Sequence, residues 1–510
     1  MAAPNQKLAE SLSVLRQAQS GGKRVFQSKD FSRTHRERLV SSGFLKEVVK
    51  GWYILSRPNE LDGDSTAWYA SFFEFVVAYC SVRFGDDWHL SPEASLMRYA
   101  GNTTVPRQVL VHAKRGANNN LALKFDTSIF DYQIKEMPAP DDLVSQNGLR
   151  LLSLPAALVR ISPTFFIGKS LDMHVVLSQV KDISEVLSKL LDGGHTVVAG
   201  RIAGAFRAIG RPDDADRIVR TMRLSDYAVT EQNPFDTPMA TSGNSAEGPC
   251  SLRVRLMWEM MREQILTVFP KAPGLPVDIR PYIADINDRH VEDSYHSLSI
   301  EGYRVSEELI AKIASGVWNP AESETDKNDR NALAAKGYHQ AFEQVRNSVT
   351  RILSKEEPGQ VAKRDHHEWY MQLFGPSVKA GILEAKHLAG YRSWPVFIRN
   401  ARHVPPSPES VRDAMPTLFD LLTNEQEPAV RGIMGHFIFV YIHPYMDGNG
   451  RMGRFMMNAM LASGGYPWTV IKVTDRNSYM LALEQASVHG NIIPFSEFVG
   501  NCVKQQMEKS

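Results

Sequence analysis

Residues 427–465 read EPAVRGIMGHFIFVYIHPYMDGNGRMGRFMMNAMLASGG, and no other stretch limits the fold as strongly. Up to Ile442 the apolar side chains fall on nearly every face at helical pitch. That pattern predicts a helix buried all round rather than one lying on a surface. From about Gly450 to the Gly464-Gly465 stop, a second helix of the same kind is predicted. Between them lies HPYMDGNGR, a polar turn held by core on both sides. Two helices with so little polar surface need other elements packed around them.

The sequence supplies those elements. From residue 252 onward, RVRLMWEMMREQILTVF, IRPYIADINDRHVEDSYHSLSIEG, SEELIAKIASG, KNDRNALAAKGYHQAFEQVRNSVTRIL and DHHEWYMQLF all read as helices. The preceding EQNPFDTPMATSGNSAEGPCS, 231–251, is polar and broken by proline and glycine, as a linker is. Residues 61–230 mix predicted strands (RQVLVHAK) and helices (FEFVVAYC), with Pro155 at the first turn of one of them. Residues 1–60 carry eleven Lys/Arg against five Asp/Glu. There, helices followed by a hairpin at Lys50-Gly51 predict a winged helix-turn-helix. Arg33, Arg36 and Arg38 would lie on its second helix and Lys50 on its wing, where DNA phosphates are one candidate partner and a protein surface the other. The expected chain is therefore mainly α: a winged helix (1–60), a mixed α/β segment (61–230), a linker (231–251) and a helical domain (252–510).

Composition excludes some function classes. A net charge of +1 gives no whole-chain argument for nucleic acid or anionic membrane. Cys80, Cys250 and Cys502 lie far apart, without disulfide or metal-ligand spacing, which fits a reducing cytoplasm. No run approaches the ~20 apolar residues of a membrane span, and the N-terminus lacks the apolar core of a signal peptide.

The turn at 443–454 carries the chemistry. Gly448 and Gly450 permit positive φ, so successive backbone N–H groups can converge. The start of the second helix adds unpaired donors and a dipole that favours an anion. Arg451 and Arg454, three apart, share a helix face. Cations there oppose the dipole unless an anion sits between them. A carboxylate, Asp447, beside phosphates implies a bridging divalent cation, for which Mg2+ is the usual choice. His443, titrating near neutrality, suits a general base. Each feature alone has an ordinary structural explanation: a cap, a turn, a solvated face. Their coincidence in twelve residues points to a polyphosphate cradle with a base at its rim.

HPYMDGNGRMGR meets every fixed position of the Fic-family signature, with Tyr445 in the usual Phe place, and the chain is similar to that family over about 260–505. AGYRSWPVFIRNARHVPPSPESV, 389–411, resembles the family's flap, a β-hairpin that docks a target segment by strand addition. DRNSYMLALEQASVHGNIIPFSEFV, 475–499, resembles its closing helices. Residues 7–230 resemble the AbiEi-type antitoxin and regulator domain. The Fic resemblance implies an all-helical core and transfer of AMP from ATP to a protein hydroxyl. It implies His443 as base, Asp447 as the Mg2+ ligand, Gly448, Asn449 and Gly450 as the anion hole, Asn449 also placing the α-phosphate. Arg451 would then meet the β-phosphate and Arg454 the γ-phosphate; Tyr479 is assigned to the base pocket. No Walker A motif is present.

Upstream, SLSIEG places Ser297 and Glu301 four apart on one helical face. Alone this is an ordinary amphipathic pattern. Beside a Fic core, Ser297, Glu301 and Gly302 resemble the family's inhibitory motif, on a helix expected near 285–302. The resemblance implies that Glu301 pairs with Arg454 and displaces the γ-phosphate. Two alternatives stay open: a hydrolase removing AMP with the same site, and a DNA-binding repressor whose Fic core senses nucleotide. The expected partners are a protein substrate, the chain itself included, DNA through the winged helix, a second copy in a homodimer, and no membrane.

Overall fold

A chain with alternating and helical segments in its first half and only helical periodicity in its second should separate into unlike cores. The computed structural model, which describes residues 4–58, 60, 63–236, 247–316, 318 and 330–508, has two such units. One comprises Met1–Pro249 with Phe397–Val404, the other Cys250–Val396 with Pro405–Ser510. The middle of the expected linker, 237–246, lies outside the described residues.

The first unit opens with α1 (Pro4–Ala18), β1 (Val25–Gln27), α2 (Arg33–Ser41), β2 (Leu45–Val49) and β3 (Trp52–Leu55). The strands form an antiparallel sheet in the order β1-β3-β2. Leu15, Phe26, Phe31, Leu39 and Leu45 close a small core beneath it. The Ser32 side chain accepts from the His35 N–H and so starts α2. Next come α3 (Thr66–Phe84), β4 (Trp88–Leu90), α4 (Pro92–Tyr99), β5 (Gln108–Ala113), β6 (Asn119–Ala122) and β7 (Ser128–Gln133). These strands make a sheet ordered β4-β5-β7-β6, with β5 and β7 parallel. Trp68, Phe72, Phe75 and Val76 of α3 fill its core. A hairpin, β8 (Leu143–Gln146) with β9 (Leu149–Leu152), leads to six helices, α5 to α10, between Leu154 and Leu224.

Residues 389–407 hold no strand, in contrast to the hairpin expected of a flap. Pro395, Pro405 and Pro406 donate no backbone hydrogen bond, and the middle of the segment is bonded elsewhere in the first unit. The Val105 N–H donates to the Arg402 carbonyl at 2.9 Å. The Ser65 N–H donates to Asn400 Oδ1 at 3.0 Å, and Arg399 pairs with Asp64 at 3.1 Å.

The second unit is helical: α11 (Pro249–Val268), α12 (Ile279–Ile300), α13 (Glu307–Ala314), α14 (Arg330–Leu353), α15 (Pro358–Lys379), α16 (Pro408–Asn424), α17 (Pro428–Ile442), α18 (Asn449–Ala462), α19 (Arg476–His489) and α20 (Ile493–Met507). The hairpin α17–α18 is its centre, with nearly every residue of both helices buried. Small residues allow the close approach: a Cβ at Gly432 would stand 2.6 Å from Leu461, and one at Gly453 2.8 Å from Val440. Helices α14 and α15 pack against each other and on α18. Helix α12 lies along α14 and stops at Glu301, after which Gly302 reverses the chain at φ +88°. Among the described residues no helix is long and apolar enough to cross a membrane.

A Cβ at Gly337 of α14 would lie 2.1 Å from the Leu373 carbonyl oxygen of α15, a backbone atom that cannot step aside. Gly337→Ala should therefore destabilise the helical unit by about 1–3 kcal/mol, measured as a lower urea midpoint with an unchanged slope.

Candidate active site

The end of α17 sets the first functional group. His443 caps that helix in the left-handed region, φ 55° and ψ 60°, a conformation that costs a non-glycine residue about 1 kcal/mol or more. Arg392 holds it there. This side chain is 2 % exposed. Its Nε donates to the His443 carbonyl at 2.8 Å, Nη2 to the Ile442 and Pro406 carbonyls at 3.4 and 2.5 Å, and Nη1 to the Trp394 carbonyl at 3.2 Å. Its own N–H donates to the Pro444 carbonyl. One cation thus satisfies carbonyls that a helix end leaves unpaired. Burial lowers the Arg392 pKa to about 10, so it remains charged at neutral pH.

His443 Nδ1 lies 3.1 Å from the Val440 carbonyl. A carbonyl only accepts, so the neutral ring carries its proton on Nδ1 and leaves the Nε2 lone pair free. Enclosure in the fold lowers the His443 pKa to about 4, more than the Val440 bond raises it, and Arg392 adds to the depression. The imidazole is neutral at pH 7, with Nε2 free to accept a proton.

The turn after it is stapled by Asn449, which is buried. Its Oδ1 accepts from the Tyr445 N–H at 2.9 Å and its Nδ2 donates to the Tyr445 carbonyl at 2.8 Å. Both polar atoms are engaged in shaping the loop, so in this conformation the side chain does not point to an anion. Tyr445 stacks on Tyr370 at 3.7 Å, and its hydroxyl meets His367 Nδ1 at 2.9 Å. Gly448 then takes φ 79° before α18, with Phe374 so near that a Cβ would stand 2.7 Å from it. The N–H groups of residues 449–451 have no acceptor within the helix.

Both arginines of α18 are buried, Arg451 at 1 % exposure and Arg454 at 3 %. The Arg451 guanidinium lies over the rings of Tyr303 and Phe374, 5.1 and 5.0 Å from their centroids. Its Nε and Nη2 make no hydrogen bond among the described residues. Asp447 is solvent-exposed; its Oδ1 accepts from the Gly448 N–H at 2.6 Å and is 3.6 Å from Arg451 Nη2. Arg454 donates from Nε to Ser297 Oγ at 2.9 Å, and from Nη2 to the Ser297 carbonyl at 3.0 Å and Glu301 Oε1 at 2.8 Å. Burial alone would lower the Arg454 pKa, but the Glu301 carboxylate together with Tyr479 and Tyr338 outweighs it and the net shift is upward. Gly450 admits that carboxylate: a Cβ there would lie 2.3 Å from Glu301 Oε1.

The fold therefore brings His443, Asp447, Gly448, Gly450, Arg451, Arg454, Ser297, Glu301 and Gly302 into one neighbourhood. It does not bring Tyr479 to an open base pocket. Tyr479 is 1 % exposed, and its hydroxyl meets the buried His436 Nε2 at 2.7 Å. Burial raises its pKa to about 12, and its place is in the core behind Arg454. Arg392 escaped sequence reasoning because its partners are carbonyls, which no side-chain pattern reports. In the first unit, Arg36 donates to the Ser28 carbonyl at 3.1 Å, and Arg38 to the Lys7 carbonyl and Ser11 Oγ at 2.6 and 2.8 Å. Arg33 is exposed and pairs with Glu37 at 2.7 Å, while Lys50 is exposed at the β2–β3 turn. Two of the four basic side chains expected to face DNA are thus committed to their own module.

Residues 360–461 match the family model described as Fic/DOC family. A protein named "Protein adenylyltransferase Fic" from Nematostella vectensis is 30 % identical over 296 residues, 57 % of this chain and 64 % of that protein. "Protein adenylyltransferase fic-1" from Caenorhabditis elegans is 28 % identical over 210 residues, covering 40 % and 38 %. Among solved structures, "Fic-1 (aa134 - 508) from C. elegans" aligns at a TM-score of 0.37 and 18 % identity, over 64 % of this chain and 91 % of that one. The chain spans less than two thirds of the length of the curated relatives it matches. The family match lies wholly after residue 230, and the AbiEi resemblance of residues 7–230 stays an expectation.

The His443 ring should titrate near pH 4 rather than 6.5 in a nitrogen-detected NMR titration, with Nδ1 protonated at pH 7. In Arg392→Ala, which removes a cation and admits water, the same resonance should move upward.

Proposed function

We propose, on the premise that this chain carries a Fic/DOC-family domain over residues 360–461, that it is an autoinhibited protein adenylyltransferase. It moves AMP from ATP to a hydroxyl group of a protein side chain. His443 Nε2 takes the hydroxyl proton, the oxygen attacks the α-phosphorus, and the bond to the leaving pyrophosphate breaks. Such a displacement needs positioning and charge neutralisation more than covalent help from the protein. The free N–H groups at the start of α18 receive the α-phosphate, Arg451 the β-phosphate and Arg454 the γ-phosphate. His443 contributes ~10²–10⁴-fold as base.

Asp447 suits a Mg2+ ion. Mg2+ takes few protein ligands and keeps water and phosphate for the rest, and Asp447 offers one exposed carboxylate beside the cradle. The described residues contain no cluster of three His, Cys, Asp or Glu that would build an all-protein site. When bound, the ion supplies neutralisation of charge between the phosphates.

The observation that carries the reading is the contact of Glu301 Oε1 with Arg454 Nη2 at 2.8 Å, reinforced by Ser297. The cation assigned to the γ-phosphate already holds a carboxylate, and a second anion cannot take the same donors. ATP then binds with its triphosphate displaced, and the α-phosphorus is out of line with the attacking oxygen. Relief requires that the Glu301 carboxylate leave Arg454.

With labelled ATP and Mg2+, Glu301→Gly should raise self-modification and transfer to lysate proteins by roughly tenfold or more, about 1.4 kcal/mol of barrier. No gain in that variant would sink the brake. His443→Ala in the same background should lose at least about 100-fold in transfer while calorimetry still detects ATP. Transfer at the parent rate would remove His443 as base.

A further inference from the structure

Arg451 poses a question that the Glu301–Arg454 pair does not answer. It is 1 % exposed. The nearest carboxylate is Asp447, 3.6 Å from Nη2 and already accepting from the Gly448 N–H. Nε and Nη2 make no hydrogen bond among the described residues. A buried guanidinium without a carboxylate in hydrogen-bond contact needs some other stabilising neighbour. Here the neighbours are two aromatic faces, Tyr303 at 5.1 Å and Phe374 at 5.0 Å. Ring faces attract a cation but accept no strong in-plane hydrogen bond. They fix the guanidinium plane and leave its N–H edge to a ligand.

The anchoring of Tyr303 is informative. Its N–H donates to the Leu298 carbonyl at 3.1 Å, closing the turn that ends α12. Its ring also lies 5.6 Å from the Arg330 guanidinium at the start of α14. Phe374 of α15 buttresses the loop at Gly448 as well. One helix end, residues 297–303, therefore touches both arginines of α18 in opposite ways. Ser297 and Glu301 occupy Nε and Nη2 of Arg454. Tyr303 grips Arg451 by its face and leaves the donors open.

We propose that Tyr303 is a positioning residue of the nucleotide site: with Phe374 it clamps Arg451 flat, so that Nε and Nη2 are presented to the second phosphate of the bound nucleotide. This deepens the adenylyltransferase reading and rests on it for the identity of the ligand. The end of α12 then has two functions. Withdrawal of the Glu301 carboxylate alone frees Arg454 and keeps the clamp. Movement of the whole turn frees Arg454 but loosens Arg451.

The test is calorimetric, in the Glu301→Gly background, with Mg2+ and with ATP, ADP or AMP as probe. Tyr303→Ala should weaken ATP and ADP about fivefold or more, the scale of a partly desolvated cation–π contact. AMP, which lacks the second phosphate, should bind as in the parent. Tyr303→Phe keeps the ring and should restore ATP binding to within about twofold of the parent. In AMP transfer, the alanine variant should raise KM for ATP by a similar factor, and Phe should again rescue. Tyr303→Leu, which keeps apolar bulk, should behave like Ala and serves if the alanine variant folds poorly. Unchanged ATP affinity, an equal loss for AMP, or failure of Phe to rescue would each overturn the clamp. ATP binding without transfer to any protein would instead overturn the adenylyltransferase reading and leave the clamp standing. A Glu301→Gly protein that binds no nucleotide would overturn both.

Discussion

Two guanidinium groups buried within one turn of the same helix set the terms for everything around them. Arg451 and Arg454 belong to a helix whose other residues are almost wholly in the core, and neither can reach bulk water. A buried cation must be paired, stacked or supplied with an anion. Arg454 is paired, by a serine and a glutamate from the end of α12. Arg451 is held over two rings, one from the residues after α12 and one from α15. The need to neutralise these charges therefore ties three helices together at one point, and that point is the mouth of the loop carrying His443. On the proposed function, the Glu301 carboxylate and a nucleotide phosphate would compete for the same donors of Arg454.

The other side of the loop answers a different requirement. A buried helix that ends in a left-handed residue leaves carbonyls without partners in a region from which water is largely excluded. Arg392 supplies donors to several of them at once, and Val440 accepts the proton of the His443 ring. The consequence is chemical. The histidine is held neutral in one tautomer, with its other nitrogen free. Asn449 fixes the loop between the two sides through the Tyr445 backbone. His443, the loop and the cations are held for separate reasons, and each reason is a buried polar group that must be satisfied.

Several features were not legible along the chain. The flap region looked like a hairpin, but its prolines donate no ladder bonds, and residues 397–404 find partners in the first unit instead. Asn449, within a glycine-rich turn, looked like a phosphate ligand, yet its side chain satisfies backbone groups four residues away. Tyr479 looked free to face a nucleotide base, but its helix turns it into the core against His436. Arg36 and Arg38 looked like a DNA-facing row, and the geometry of α1 and of the Ser28 turn draws both inward. Each difference has the same origin. Residue type states what a group can bond, while burial and neighbours decide which bond it makes.

What the sequence by itself determined was the set of side chains at residues 443–454 and the buried helical hairpin that carries them. Covalent spacing keeps His443, Asp447, the glycines and the two arginines within one twelve-residue stretch, a turn and the first turns of the helix after it. What only the tertiary structure decided was the company they keep. Glu301 and Ser297 lie more than 150 residues from Arg454, Tyr303 lies nearly as far from Arg451, and Arg392 lies 51 residues from His443. Contacts over such distances follow from how α12, α15 and the 389–407 segment pack, because loop length constrains them only weakly, and no local pattern encodes them.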